Sequence, residues 1–303
     1  MRIIRWFGVS PATEVSNRSM TRLLFARLCL AAMIVTVGAT LAVMPVAANM
    51  LTVEHDDHRI VLDRAALLAR PDAQDIEVPG DVGYGGATRR YRAVPLSAIL
   101  GVVPAPSSVR GTLEVVALDG YAAQIPLSVV LASEPGRARA WLAIEMPQAP
   151  WPSLPSKSVS AGPFYVVWQS PEASRITPSY WPYQVASMRL VAHPADRWPQ
   201  IAVDQSLPAE HAARRGLEVY AAQCLACHRM NGAGSSEIGP DLNLPMNPTE
   251  YFQLAALRIY LRNPANVRTW PAQSMAGITA DQMSDAQMED LLAYLGHMVG
   301  QRK

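Results

Sequence analysis

The chain has 303 residues, half of them hydrophobic, which is long enough for two cored domains. Its 26 basic and 25 acidic residues nearly balance, and without residues 1–48 the counts fall to 21 and 24, a net charge of about −3 with neutral histidines. That balance supplies no basic field for nucleic acid, and 25 prolines argue against long uninterrupted helices.

Residues 1–48 read as an export signal. Arg22 and Arg27 make a basic start, residues 28–43 are apolar and uncharged, and Val46, Ala47 and Ala48 offer small side chains for cleavage. The alternative is an uncleaved membrane anchor, but the apolar run of 16 residues is short for a span needing about 20. Cys29 falls inside this segment and has no assigned role. Export places the chain in the periplasm.

Residues 49–200 read as a β-rich domain with a few short helices. Strands are expected at 59–62, 113–118, 122–125, 164–169 and 187–192, with a short helix at 64–69; residues 129–132 are too short to assign. Asp119-Gly120 between two apolar runs is a hairpin signal. His55, Asp56, Asp57 and His58 suit a solvated polar start better than a metal site. Arg89, Arg90 and Arg92 fit an exposed charged strand, with an anion grip as the alternative. Trp151, Trp168, Trp181 and Trp198 read as core or turn packing, while the run Tyr180 to Tyr183 offers a surface for a partner.

Residues 201–208 read as a linker, and 209–303 as a helical domain. A helix from Glu210 leads into Cys224-Leu225-Ala226-Cys227-His228. Two thiols three residues apart, followed directly by a histidine, form the pattern for covalent haem attachment. One helical turn presents both sulfurs to the same porphyrin edge, and the adjoining imidazole becomes the proximal iron ligand. A redox dithiol and half a zinc site are the alternatives, but zinc needs two more Cys or His ligands at regular spacing. Residues 230–246 form a Gly- and Pro-rich loop. Residues 249–262 are expected as one helix, stopped by Asn263-Pro264, and the last helix begins at a capping box, Ser284 to Gln287. Of six methionines, Met288 and Met298 lie in an apolar stripe, Met283 suits a hydrophobic staple and Met230 is too near His228. Met246 and Met275 remain for the second axial position.

With these residues in place, the segment 207–303 resembles class I cytochromes c. The resemblance implies that Gly216 and Tyr220 let the first helix cross the last closely. It implies that the carbonyl of Pro240, in Gly239-Pro240-Asp241-Leu242, accepts the Nδ1–H of His228, the usual support for a metal-bound imidazole. It favours Met275 as the second ligand, and it sets Arg262, Arg268 and Trp270 near the haem propionates, with a surface salt bridge as the plain alternative. Residues 52–191 resemble the molybdopterin-binding domain of sulfite-oxidase-type enzymes, through Val94-Pro95-Leu96, Leu118 to Tyr121, Ile125-Pro126-Leu127, Trp141-Leu142-Ala143 and Gly162 to Val167. That family ligates molybdenum through a cysteine thiolate, and residues 49–206 contain no cysteine. The resemblance therefore implies the fold, with molybdopterin not expected.

The chain is thus expected to be a periplasmic carrier of single electrons with one haem c. His228 and Met275 ligate its iron, and redox proteins, a dehydrogenase or an oxidase, are its partners. A membrane enters only if the signal is uncleaved. The N-terminal domain would serve as a docking or scaffold module. The alternative is a molybdopterin-dependent oxidoreductase passing electrons to its own haem.

Overall fold

The computed structural model describes residues 49–104, 111–155, 157–269, 271 and 273–302. The expected export signal with Cys29, and Trp270, lie outside the described residues. Among the described residues no helix is long and apolar enough to cross a membrane.

Nine strands come first in the chain, interrupted by short helices. They are β1 (Met50–His55), β2 (His58–Asp63), β3 (Gln74–Asp81), β4 (Ala87–Pro95), β5 (Thr112–Ala117), β6 (Ala122–Pro126), β7 (Arg139–Ile144), β8 (Phe164–Gln169) and β9 (Val185–Val191). Helix α1 (Arg64–Leu68) follows β2, α2 (Leu96–Leu100) follows β4, and α3 (Leu127–Val130) follows β6. Asp63 caps α1 by accepting from the backbone N–H groups of Ala65 and Ala66. Five strands form one sheet in the order β2-β1-β9-β5-β6, and four form a second in the order β3-β4-β7-β8. Only β1 with β9 is parallel; every other pair is antiparallel. Leu51, Leu113, Ile125, Leu142, Phe164, Tyr165 and Trp168 are buried in one core drawn from both sheets.

All five expected strands are present, and so is the hairpin. Gly120 has φ +87°, and the N–H of Ala117 donates to the carbonyl of Tyr121 at 2.8 Å, closing the turn between β5 and β6. Residues 127–130, within the unassigned stretch, are helical. The three arginines lie on β4, where two of them make cross-strand contacts. Arg90 bonds Glu77 at 3.1 Å, Arg92 is 3.7 Å from Asp75, and Arg89 lies over the ring of Tyr84. The polar His55 to His58 stretch is the β1–β2 turn, and no group of three metal-ligating side chains occurs among the described residues. Tyr180 and Trp181 are buried, so the aromatic run offered for a partner belongs mostly to the core.

The helical region contains α4 (Pro194–Arg197), α5 (Ala212–Gln223), α6 (Pro248–Tyr251), α7 (Leu254–Arg262) and α8 (Asp285–Val299). The helix expected over 249–262 is two helices. Phe252 and Gln253 are extended, with ψ of 142° and 137°, and they break the backbone bonding between α6 and α7. The capping box at the start of α8 is formed as expected: Gln287 N–H donates to the Ser284 hydroxyl while Ser284 N–H donates to the Gln287 side chain. The joining segment 201–208 packs against α8. Ile201 is fully buried, its carbonyl accepts from the Tyr294 hydroxyl at 2.8 Å, and Asp204 N–H donates to His297 Nε2.

Helices α5 and α8 cross at Gly216. A Cβ there would fall 1.9 Å from the Asp290 carbonyl oxygen, and the Tyr220 and Tyr294 rings meet at 5.3 Å beside it. Helix propensity alone would make Gly216→Ala stabilising by about 1 kcal/mol. The clash is with backbone and cannot be relieved by a rotamer change, so overpacking, worth about 1–3 kcal/mol or more, should win. Thermal denaturation of the intact protein should show a lower midpoint for Gly216→Ala; a higher one would mean the helices can separate at no cost.

The two regions belong to one compact unit, joined through Glu114. This carboxylate, on β5, is fully buried. Arg189 of β9 and Arg197 of α4 pair with it, the latter at 2.9 Å. Gln124 donates at 2.9 Å, and the Ser235 hydroxyl, in the loop after the Cys-X-X-Cys-His turn, donates at 2.6 Å. Burial works to raise its pKa, but the Arg197 charge and the Ser235 and Gln124 donors outweigh it and hold the carboxyl below its usual value of 4.5. A depressed carboxylate stabilises the fold fully above that value, and the contribution is lost as pH falls through the folded pKa. Glu114→Gln should therefore cost about 1–3 kcal/mol at pH 7 and less below pH 4. Equal destabilisation at pH 7 and pH 3.5 in denaturant titrations would count against the charged pairing.

Candidate cofactor attachment site

Helix α5 ends at Cys224, and the next turn holds itself together. The N–H groups of Cys227 and His228 both donate to the Cys224 carbonyl, at 3.0 and 2.9 Å. This local turn places two thiols and an imidazole together, and both thiols are free. Burial pushes the Cys224 thiol up to about 12 with help from Cys227, and the Cys227 thiol up to about 11 with help from the Asp119 carboxylate. Redox dithiols depend on a lowered thiol pKa, so these raised values oppose the dithiol alternative.

His228 is held from three sides. Its Nδ1 is 2.8 Å from the Pro240 carbonyl, its own carbonyl accepts from the Tyr220 hydroxyl at 3.0 Å, and Gly239 lies against the ring. A Cβ on Gly239 would stand 2.4–2.9 Å from three ring atoms, so only glycine lets the loop run this close. Burial lowers the His228 pKa although the Pro240 carbonyl opposes it. The ring is therefore neutral at pH 7, and with Nδ1–H committed to Pro240 its Nε2 lone pair is left to bind a metal.

The loop past His228 is stapled by residues that sequence reasoning did not single out. Asp241 accepts from the N–H groups of Asn231, Gly232, Asn243 and Leu244. Asn243 and Asn247 are fully buried and donate to the carbonyls of Met298 and Leu295 at the end of α8, at 2.6 and 2.9 Å. Asn247 carried one local signal, since it opens a capping box with Glu250.

The methionines separate by burial. Met230, Met283, Met288 and Met298 are core residues. Met246 is 50% exposed, while Met275 is half-buried against the helical cluster. The segment carrying Met275 is tied back to α7. Ile278 N–H donates to the Leu261 carbonyl at 2.9 Å, and a Cβ on Gly277 would meet the Arg262 carbonyl oxygen at 2.2 Å. Arg262, read as a propionate contact or a surface salt bridge, donates to the carbonyls of Ile278, Thr279 and Met283 and pairs with the Asp285 carboxylate. His211 caps α5 and His297 accepts from Asp204, so both have structural partners.

Residues 213–298 match the Cytochrome c family. That family binds haem c covalently and transfers electrons to redox partners, and the likeness covers this segment alone. The two-sheet region lies outside the matched residues. No curated protein matches the chain.

The residues of this segment fit the group that the family implies. Two free cysteines stand in one turn, a neutral imidazole has one nitrogen committed, and a glycine lies where any side chain would displace the ring. The N-terminal region touches the same turn directly: the N–H of Ala122, the first residue of β6, donates to the Ala226 carbonyl at 3.0 Å.

Proposed function

We propose that this chain is a periplasmic carrier of single electrons with one haem c, and that the two-sheet region is a fixed scaffold on the attachment turn. Cys224 and Cys227 would hold the group covalently, and His228 Nε2 and the Met275 thioether would be the axial ligands. When bound, the haem supplies one-electron redox chemistry at iron. The chain's own residues do the positioning. Pro240 fixes the imidazole's tautomer and Tyr220 fixes the turn that carries it. Arg262 and Gly277 hold the loop that bears Met275, while Asp241, Asn243 and Asn247 keep the intervening loop against α8. The observation that carries this reading is the His228–Pro240 contact under Gly239, because it prepares a neutral imidazole as a ligand.

A second reading makes the two-sheet region a molybdopterin oxidoreductase that feeds the haem. The direct bond between Ala122 and Ala226 favours it; the lack of a cysteine in residues 49–206 opposes it. Metal content separates the two. Protein purified from the periplasm of a molybdenum-replete native host should contain one iron per chain and no stoichiometric molybdenum. Equimolar molybdenum, or reduction of the haem by sulfite, would establish the second reading.

A further inference from the structure

The two-sheet region contains a cavity of about 380 Å³ between the Asp119–Tyr121 turn, the loop after β3, and the segments around Leu154 and Trp181. That volume lies at the small end of the ~300–1,000 Å³ typical of small-molecule sites. Its walls are largely apolar and flat, with the rings of Tyr121, Trp181 and Tyr183 and several prolines among them.

Three features of the wall select a ligand. Trp181 is only 4% exposed, and its indole N–H, itself covered, has no hydrogen-bond acceptor; a buried donor left unsatisfied costs about 1–3 kcal/mol, so a small side-chain shift that uncovers it to an acceptor in the cavity is favourable. Lys157 bonds the Tyr183 hydroxyl and lies 4.8 Å from that ring's centroid, and among the described residues no carboxylate pairs with its ammonium. The one carboxylate in the wall, Asp119, already accepts from the backbone N–H of Tyr121 at 3.1 Å. The wall thus offers aromatic faces, an unmatched cation and an unsatisfied donor.

We propose that this cavity binds a small aromatic carboxylate, with its ring packed among Tyr121, Trp181 and Tyr183 and its carboxylate met by Lys157 and the Trp181 N–H. The binding assignment goes beyond the electron-carrier reading and does not depend on it, since every residue involved belongs to the two-sheet region; only the shift in haem potential rests on that reading. The cavity is also next to the attachment turn. Tyr121 precedes Ala122, which bonds the Ala226 carbonyl, and the Asp119 charge is felt at Cys227. An anion bound there would add negative charge near the attachment turn, which in the haem-loaded protein would favour the ferric state.

Titration calorimetry on the full haem-loaded chain tests the assignment, with benzoate and 1-naphthoate as probes. Benzamide serves as the uncharged isostere and acetate as the ring-free anion. At least one aromatic acid should bind with 1:1 saturation, at least tenfold more tightly than benzamide or acetate. Lys157→Met should remove the preference for benzoate over benzamide, and Trp181→Phe should weaken binding several-fold. Both variants should keep the parent's far-ultraviolet dichroism and haem absorption spectrum. Saturating benzoate should shift the haem midpoint potential downward in the parent and not in Lys157→Met. Absence of saturable binding by both aromatic acids would overturn the proposal. So would acetate binding as tightly as benzoate, or unchanged benzoate affinity in a folded Lys157→Met protein.

Discussion

The double substitution Cys224→Ser with Cys227→Ser should leave no covalent haem on the chain. Each thiol forms one thioether, a hydroxyl forms none under the same chemistry, and the described residues include no other cysteine. The readout is a denaturing gel stained for haem peroxidase activity, on which the parent band is positive and the variant band blank. Each single variant should keep one attachment point and a fainter band. The substitutions are nearly isosteric, so loss of the group can be separated from loss of secondary structure by far-ultraviolet dichroism. A stained band from the double variant would reject the attachment assignment.

The second large effect concerns Met275. If its thioether ligates iron, ferric protein should show a weak sulfur-to-iron band at the red end of the spectrum, and Met275→Ala should abolish it. A neutral, soft sulfur favours the reduced state. Its loss should lower the potential by a sizeable part of the ~0.8 V range that axial ligands control, and should open the iron to added ligands such as imidazole. Met246→Ala should change none of these, since that side chain is half exposed and is not among the residues packed on the helical cluster. The opposite pattern would transfer the role to Met246.

Features set by neighbouring residues were readable in the sequence. The Cys-X-X-Cys-His turn, the Asp119-Gly120 hairpin and the Ser284–Gln287 box are each closed by bonds spanning five residues or fewer. Gly216 and Pro240 were legible only through resemblance, because their partners, Asp290 and His228, lie far away in the sequence. Strands β1, β3, β4 and β7 escaped, the last three for different reasons. Pro79 and Gly80 punctuate β3 and charges crowd β4, while β7 is buried on both faces and lacks alternation. The break at Phe252 carries no proline or glycine to announce it. Asn243 and Asn247 look like ordinary loop residues until α8 supplies their carbonyl partners about 50 positions later. Arg262 was singled out through the resemblance, but its contacts include three carbonyls beyond α7, which no local pattern encodes.

The burial of the attachment turn bears on how each thiol is reached. Cys224 is only 8% exposed, Ala226 is 2% exposed, and β6 is bonded across the turn. Cys227 and His228 remain partly exposed beside it, so the turn has one covered thiol and one open thiol. If haem is attached as proposed, Cys224 is the thiol harder to reach once the β5–β6 hairpin lies on the turn, and Cys227 the easier. The Glu114–Ser235 bond holds the loop that follows the turn against β5, so the sheet covers the Cys224 side and leaves the Cys227 side open.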